Sequence, residues 1–491
     1  MSDSDAFSGL EPSGLWRHFE AMTRIARPSG HEAAMADYVA AWAADRRFEV
    51  LRDAVGNVCV RVPGRPPLEN APPVVLQSHM DMVCERDSDS PFDASVGRMR
   101  VLREGDWLRA DGTTLGADNG IGCAAMMAVA ESPDCPHGPL ELLFTVDEER
   151  GLVGAKNLDP AMLRGRVLLN LDSEDEGLLV VGCAGGRGST LTFAASRESA
   201  PTGWTAGQVC IAGLRGGHSG LEIDKGRLNA NKAAARVLLS ARQTVRLRLA
   251  GLHGGDKTNA IPRECRALIW YPAADEARLG EAIGRVAAAL REQYRGRDDG
   301  LTVALRPPPT DLPPAPFTDE ASARLLDLIC ALPFGVLAVS PDIPGLVETS
   351  NNPGVIRTDG DRVEIKCSSR SSVPGSLEEL VESIAAMARS AKAAVEPSEG
   401  YPGWKPDLNS RVLAVTRATY RRLFNKEPAV TAIHAGLECG LIGQRVPDMD
   451  MISLGPDIKG VHAPGERVRI SSVKPFYDLL AAVLHDLARR P

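Results

Sequence analysis

Apolar positions outline this chain before any single residue does. Residues 14–26 (GLWRHFEAMTRIA) and 30–47 (GHEAAMADYVAAWAADRR) place them at helical spacing. Short β-rich runs follow: NVCVRV (57–62), PPVVLQSHM (72–80), ELLFTV (141–146) and RVLLNLD (166–172). Between the second and third of these, GADNGIGCAAMMAVAES (116–132) reads as a buried helix. Strands that are apolar at nearly every position, alternating with helices, predict an α/β domain: a central mixed sheet with helices on both faces.

The texture changes over residues 187–398. Alternating strands such as TLTFAAS (190–196), GQVCIAGL (207–214), TVRLRLAGL (244–252), RALIWYP (266–272), LTVALRP (301–307) and DRVEIKC (361–367) mix with three helical stretches at 228–242, 277–294 and 376–391. RPPPTDLPPAPF (306–317) is a Pro-rich connector. From 399 the α/β texture returns, with helices at 409–424 and 473–490 and strand-like runs at 429–436 and 448–456. The expected organisation is therefore a domain made of 1–186 and 399–491, interrupted by an inserted α+β lid at 187–398. Two stretches of the insert, 256–272 and 347–370, each set Thr or Ser, Asn and Pro ahead of a strand, and a helix follows each at a similar offset. That spacing suggests an internal duplication and leaves the question open.

Composition narrows the class. The 491 residues are 44% hydrophobic and 24% charged, with a net charge of −8, which is typical of a globular protein and argues against nucleic acid or an anionic membrane as partner. No 18-residue apolar run predicts a spanning helix. The opening MSDSDAFSGLEPSG has neither a basic nor an apolar leader region, so a cytoplasmic protein is expected. The ten cysteines are scattered, without a C-x-x-C pair, and read as reduced core thiols.

Candidate chemistry clusters just past the strand-like runs. His79 and Asp81 follow VVLQS, Asp118 opens the buried helix, Glu148 and Glu149 follow LLFTVD, Asp172 follows VLLNL, and His462 follows ISLGPDIKGV. In an open α/β sheet, ligands bind at the carboxyl ends of the strands. Imidazoles and carboxylates converging there suit a divalent cation such as Zn, Mn or Co. In H-x-D, residues i and i+2 share one side of a strand, so Asp81 can fix the ring of a ligating His79. Each motif also has a plainer reading: HMDM without a metal, DEE as a solvated turn, and GADNG as an Asx turn capping a helix. The combination, in this order and each after an apolar strand, favours the metal.

The strings SHMDMV, GTTLGADNGIG, DEERG, NLDSEDEG, GGHSG, KTNAIPR, HAGLECG and GVHAPGE resemble, over nearly the whole chain, the co-catalytic di-metal exopeptidases, a family that includes peptidase T, the carnosinases and peptidase D. GCAGG, YPGWKPD and MDMISLGP look most like the peptidase D branch. The resemblance implies a dipeptidase acting on small peptides with a free N-terminus, Xaa-His and carnosine-like dipeptides among them. An N-acyl amino acid deacylase or amidohydrolase on the same fold is the alternative. It implies two divalent ions, zinc first, with cobalt or manganese as substitutes. His79 and Asp172 would hold one, Glu149 and His462 the other, and Asp118 would bridge both, with a cis Asp118–Asn119 bond. Glu148 would be the general base, assisted by Asp81. On the lid, His218 would stabilise the oxyanion, Asn259 and Gly436 would face the substrate, and Arg370 would grip its terminal carboxylate. In many relatives the lid histidine comes from a second subunit, so a homodimer is one expectation; a duplicated lid would supply it in cis. Asp147 stands where the peptidase D branch has Thr and the wider family often has Asp. Adjacent residues leaving a strand point to opposite sides, which would let Glu149 face a metal while Glu148 faces the water.

Overall fold

The computed structural model describes residues 6–309 and 313–489, so part of the Pro-rich connector and the first residues of the N-terminal segment lie outside the described residues. The chain divides into two compact units: Met1–Cys183 with Trp404–Ala432 and Leu437–Pro491, and Ala184–Gly403 with Ile433–Gly436. The short piece Ile433–Gly436 belongs to the second unit, where the Ala184 amide donates to the carbonyls of Ile433 and Ala435.

The first unit is built on an eight-stranded sheet. Its centre is four parallel neighbours in the order Leu140–Thr145, Val74–His79, Val167–Asn170 and Asp450–Ser453. Every residue of the first two is buried, which requires cover on both faces and explains why they read as unbroken apolar runs. Helices Ser13–Met22 and Ala117–Glu131 pack together, as do Arg411–Phe424 and Ile470–Arg489. Parallel pairing brings the carboxyl ends of the central strands to one edge. All the candidate metal ligands lie in this unit.

The second unit is a nine-stranded antiparallel sheet whose helices enclose a single large apolar core. Two βαββαβ halves make it up. In one, strands Trp204–Ala212, Arg248–Gly254, Cys265–Pro272 and Thr302–Arg306 lie in the order fourth, first, third, second. The other has Gly185–Ala194, Val347–Asp359, Arg362–Ser371 and Ala394–Pro397 in the same order, read from the opposite edge. The second strands of the two halves, Arg248–Gly254 and Val347–Asp359, pair antiparallel at the centre. The halves thus share one topology, and the first is inserted in the second after its opening strand. Residues 347–352, expected to precede a strand, instead belong to a 13-residue strand, with a register shift at Pro353 that accommodates the missing donor.

Candidate metal centre and substrate-binding residues

His79 is the last residue of its strand, and its ring is fully buried. Its Nε2 lies 3.0 Å from Asp118 Oδ1 and 3.4 Å from Asp172 Oδ1. The other oxygen of Asp118, Oδ2, lies 3.2 Å from His462 Nε2, which is also 2.9 Å from Glu149 Oε2. Asp118 therefore offers one oxygen to each of two histidine-plus-carboxylate groups. It sits where the helix Ala117–Glu131 departs from helical geometry, at a cis Asp118–Asn119 bond, and Asn119 Nδ2 donates to Asp172. Glu148 lies with His79 and Glu149, ligand atoms all within 4.8 Å.

The strand ends at Thr145, and Asp147 to Gly151 form a turn: Asp147 has φ 51° and the Glu148 carbonyl accepts from the amides of Gly151 and Leu152. The two glutamates are parted by this turn rather than by strand alternation. Asp81 fixes it. Its carboxylate accepts from the amides of Glu148 (3.1 Å) and Glu149 (3.2 Å) and from Ser29 Oγ (2.7 Å). His79 Nδ1 contacts both the Asp81 carbonyl (3.1 Å) and its Oδ1 (3.3 Å). Asp81 thus orients the ring and the glutamate pair together.

Electrostatics reflect the crowding. Burial pushes Glu148 well above the usual carboxylate range, helped by Asp172, Glu438 and Glu149. Burial also raises Glu149 and Asp172. Burial works against ionising Asp118, but His462 and His79 outweigh it and hold its carboxyl low. Hydrogen bonds to Asp118 and Glu149 push His462 up to about 11.

In the second unit, His218 follows the strand Trp204–Ala212. Its Nδ1 accepts from the amides of Gly220 (3.3 Å) and Leu221 (3.0 Å), which leaves the proton on Nε2 as a donor. Burial and the nearby Arg370 lower its pKa, so the ring is neutral. Asn259 is exposed, and its carbonyl accepts from the amide of Ser219, the residue after His218. Arg370, in the strand Arg362–Ser371, is 8% exposed; it donates to Tyr401 Oη at 2.8 Å. Asn259 and Arg370 line one cavity of about 390 Å³. Gly436 closes the segment Ile433–Gly436.

A model of peptidase family M20/M25/M40 matches residues 75–486. The chain belongs to this peptidase family. It is 40% identical over 480 residues to the cytosol non-specific dipeptidase of Escherichia coli (strain K12), a match that spans 98% of this chain and 99% of that one. The crystal structure of aminoacylhistidine dipeptidase from Vibrio alginolyticus has a TM-score of 0.90 at 40% identity, covering 98% of this chain and 97% of that chain. Human carnosine dipeptidase 1, 12% identical over 99% of each chain with a TM-score of 0.50, shares the fold. No helix among the described residues is long and apolar enough to cross a membrane, and all ten cysteines are free.

The donor set fits the cations expected of the resemblance. It is nitrogen and oxygen with no thiolate, and Glu149 Oε1 is buried without a hydrogen-bond partner among the described residues. Several residues that shape this member of the family escaped the sequence reading. Arg27, fully buried, donates to the carbonyls of Met80, Asp81 and Gly116, tying the His79 segment to the Asp118 loop. Gly116, at φ 69°, leaves room for it; a Cβ there would collide with Arg27 and Met82. Glu466, four residues past His462, accepts from the amides of Leu115, Gly116, Ala117 and Asp118 at 2.7–3.2 Å. Its acid at the end of GVHAPGE was the available signal. Glu438, pushed by burial to about 8, accepts from Gln77 and Thr145 beneath the site. His434 contacts Ser350 Oγ at 2.7 Å, and a Cβ on Gly220 would meet the His434 carbonyl, His218 and Arg370 Nε together.

Proposed function

We propose that this protein is a cytoplasmic metal-dependent dipeptidase that cleaves dipeptides with a free N-terminus, Xaa-His among them. The observation that carries the reading is Asp118, whose two oxygens face two separate histidine-plus-carboxylate groups with Glu148 beside them. His79 and Asp172 would hold one ion and His462 and Glu149 the other, with Asp118 serving both; zinc suits this donor set, with cobalt or manganese as substitutes. Bound there, the ions would supply an acidified water and Lewis-acid polarisation of the scissile carbonyl.

The protein groups supply the rest. Glu148, whose proton affinity is raised by burial, takes the water's proton and delivers it to the leaving amine. Asp81 holds the turn that aims it. Neutral His218 donates from Nε2 to the developing oxyanion. Arg370 binds the substrate's terminal carboxylate, a task for a planar fork of donors, with Asn259 and Gly436 beside the substrate.

The test is hydrolysis of Xaa-His, other dipeptides and N-acetyl amino acids, with and without chelator. Dipeptides are cleaved, the acetylated compounds are not, and chelation abolishes turnover until zinc, cobalt or manganese is restored. Activity indifferent to chelation overturns the metal reading; preference for acetylated amino acids overturns the dipeptidase.

A further inference from the structure

Two of the motifs that carry the resemblance, GCAGG and YPGWKPD, have no part in the chemistry above, and they meet in the second unit. Gly186 and Tyr401 exchange reciprocal backbone hydrogen bonds, each 3.0 Å. On its other side, Gly186 is the register partner of Arg370. Gly186 therefore lies between the arginine and the tyrosine. Its missing side chain is what lets them touch: a Cβ on Gly186 would stand 2.6 Å from Tyr401 Cζ and Oη and 2.7 Å from Cε1. Across that gap the phenol oxygen accepts from Arg370 Nη1 at 2.8 Å, while Arg370 Nε is buried with no hydrogen-bond partner among the described residues.

We propose that Tyr401, reaching over Gly186, is a positioning residue that fixes the Arg370 guanidinium for carboxylate recognition. An arginine side chain held at one end by a strand has several rotatable bonds, and a carboxylate fork is matched only when the guanidinium plane is fixed. Nη1 is committed to the phenol, so the tyrosine selects the rotamer. Asn259, Ser368, Arg370 and Tyr401 line the same cavity, which places the tyrosine beside the group it orients. The inference rests on the reading of Arg370 as the carboxylate-binding residue.

The experiment compares Gly-His with glycyl-histidinamide, which lacks the carboxylate, in wild type, Tyr401→Phe, Arg370→Ala and the double variant, all loaded with zinc. Tyr401→Phe keeps the ring and the strand contacts. It should lower the preference for the acid over the amide about tenfold, the size of a lost hydrogen bond to a charged group, with the loss in KM rather than kcat. In the Arg370→Ala background the same change should have about a twofold effect or less, because the tyrosine acts through the arginine. Gly186→Ala, which forces the ring aside, should reproduce the Tyr401→Phe phenotype. If Arg370→Ala abolishes the preference but Tyr401→Phe preserves it, the tyrosine has no positioning role and the reading of Arg370 stands. If Arg370→Ala preserves it, that reading fails and the inference with it. Equal losses from Tyr401→Phe with and without Arg370 would mark a structural role and also overturn the proposal.

Discussion

The site groups of the two units are electrostatic opposites. In the first, four carboxylates and two histidines crowd together, and further buried acids hold the backbone around them: Glu466 on the Asp118 loop, Asp81 on the glutamate turn, and Glu32 on the amides of Gly30 and Asp147. In the second, a neutral His218 and the cation of Arg370 are held by neutral partners, two amides of the histidine's own loop and one phenol. The first cluster calls for cations and the second for an anion. The difference also predicts how each fails. Anchors made of buried charge, shared by several amides, should fail through metal affinity. Anchors made of one or two neutral hydrogen bonds should fail through substrate affinity or transition-state binding.

The largest effect expected tests whether the two adjacent glutamates divide the work. Glu148→Ala should cost at least about 10³-fold in kcat, within the range of a lost general base, while metal content measured by elemental analysis stays at wild type. Glu149→Ala should lose metal from one site; equal metal content in both variants would erase the distinction. Next, His218→Ala should lower kcat about 10²–10³-fold, the cost of one oxyanion donor, with metal affinity unchanged by titration calorimetry. Metal loss in this variant would break the contrast between the units. Glu466→Gln turns an acceptor cage into one containing an N–H that faces amide donors. Zinc affinity should fall about 10–100-fold, as for other outer partners of metal ligands, and an unchanged affinity would remove Glu466 from that role.

The smallest effect concerns stability. Burial, with Arg370 beside it, pushes His434 down to about 4 from 6.5. The unfolded chain therefore takes up this proton first as pH falls. The histidine's contribution is complete above about 6.5, declines as pH drops towards about 4, and is level below that. The upper bound is about 3 kcal/mol. His434→Asn should flatten thermal stability across that window; an unaltered pH profile would show that the ring is not held neutral.

The sequence made the central strands plain because parallel, doubly covered strands are apolar at every position, and the ligand types stood directly past them. Val347–Asp359 was harder. Asn351, Asn352, Pro353 and Gly354 carry turn chemistry, yet here the asparagine amides donate to the carbonyls of Pro333, Thr258 and Ala260 and are satisfied inside the sheet. Arg27 left no pattern to read, and Glu466 and Tyr401 stood in quoted motifs, GVHAPGE and YPGWKPD, that gave no hint of their partners. They act on backbone groups or partners far along the chain, and neither periodicity nor local spacing encodes such contacts.

The order of the sequence also has a consequence for synthesis. The fourth parallel strand, Asp450–Ser453, and His462 with Glu466 come after the whole inserted unit. A nascent chain that has already emerged with His79, Asp118, Glu149 and Asp172 still lacks the last imidazole of the proposed set and the acid that secures the Asp118 loop. A polypeptide released before residue 462 lacks the last ligand of the proposed set, so that centre can assemble only after the whole inserted unit has been made.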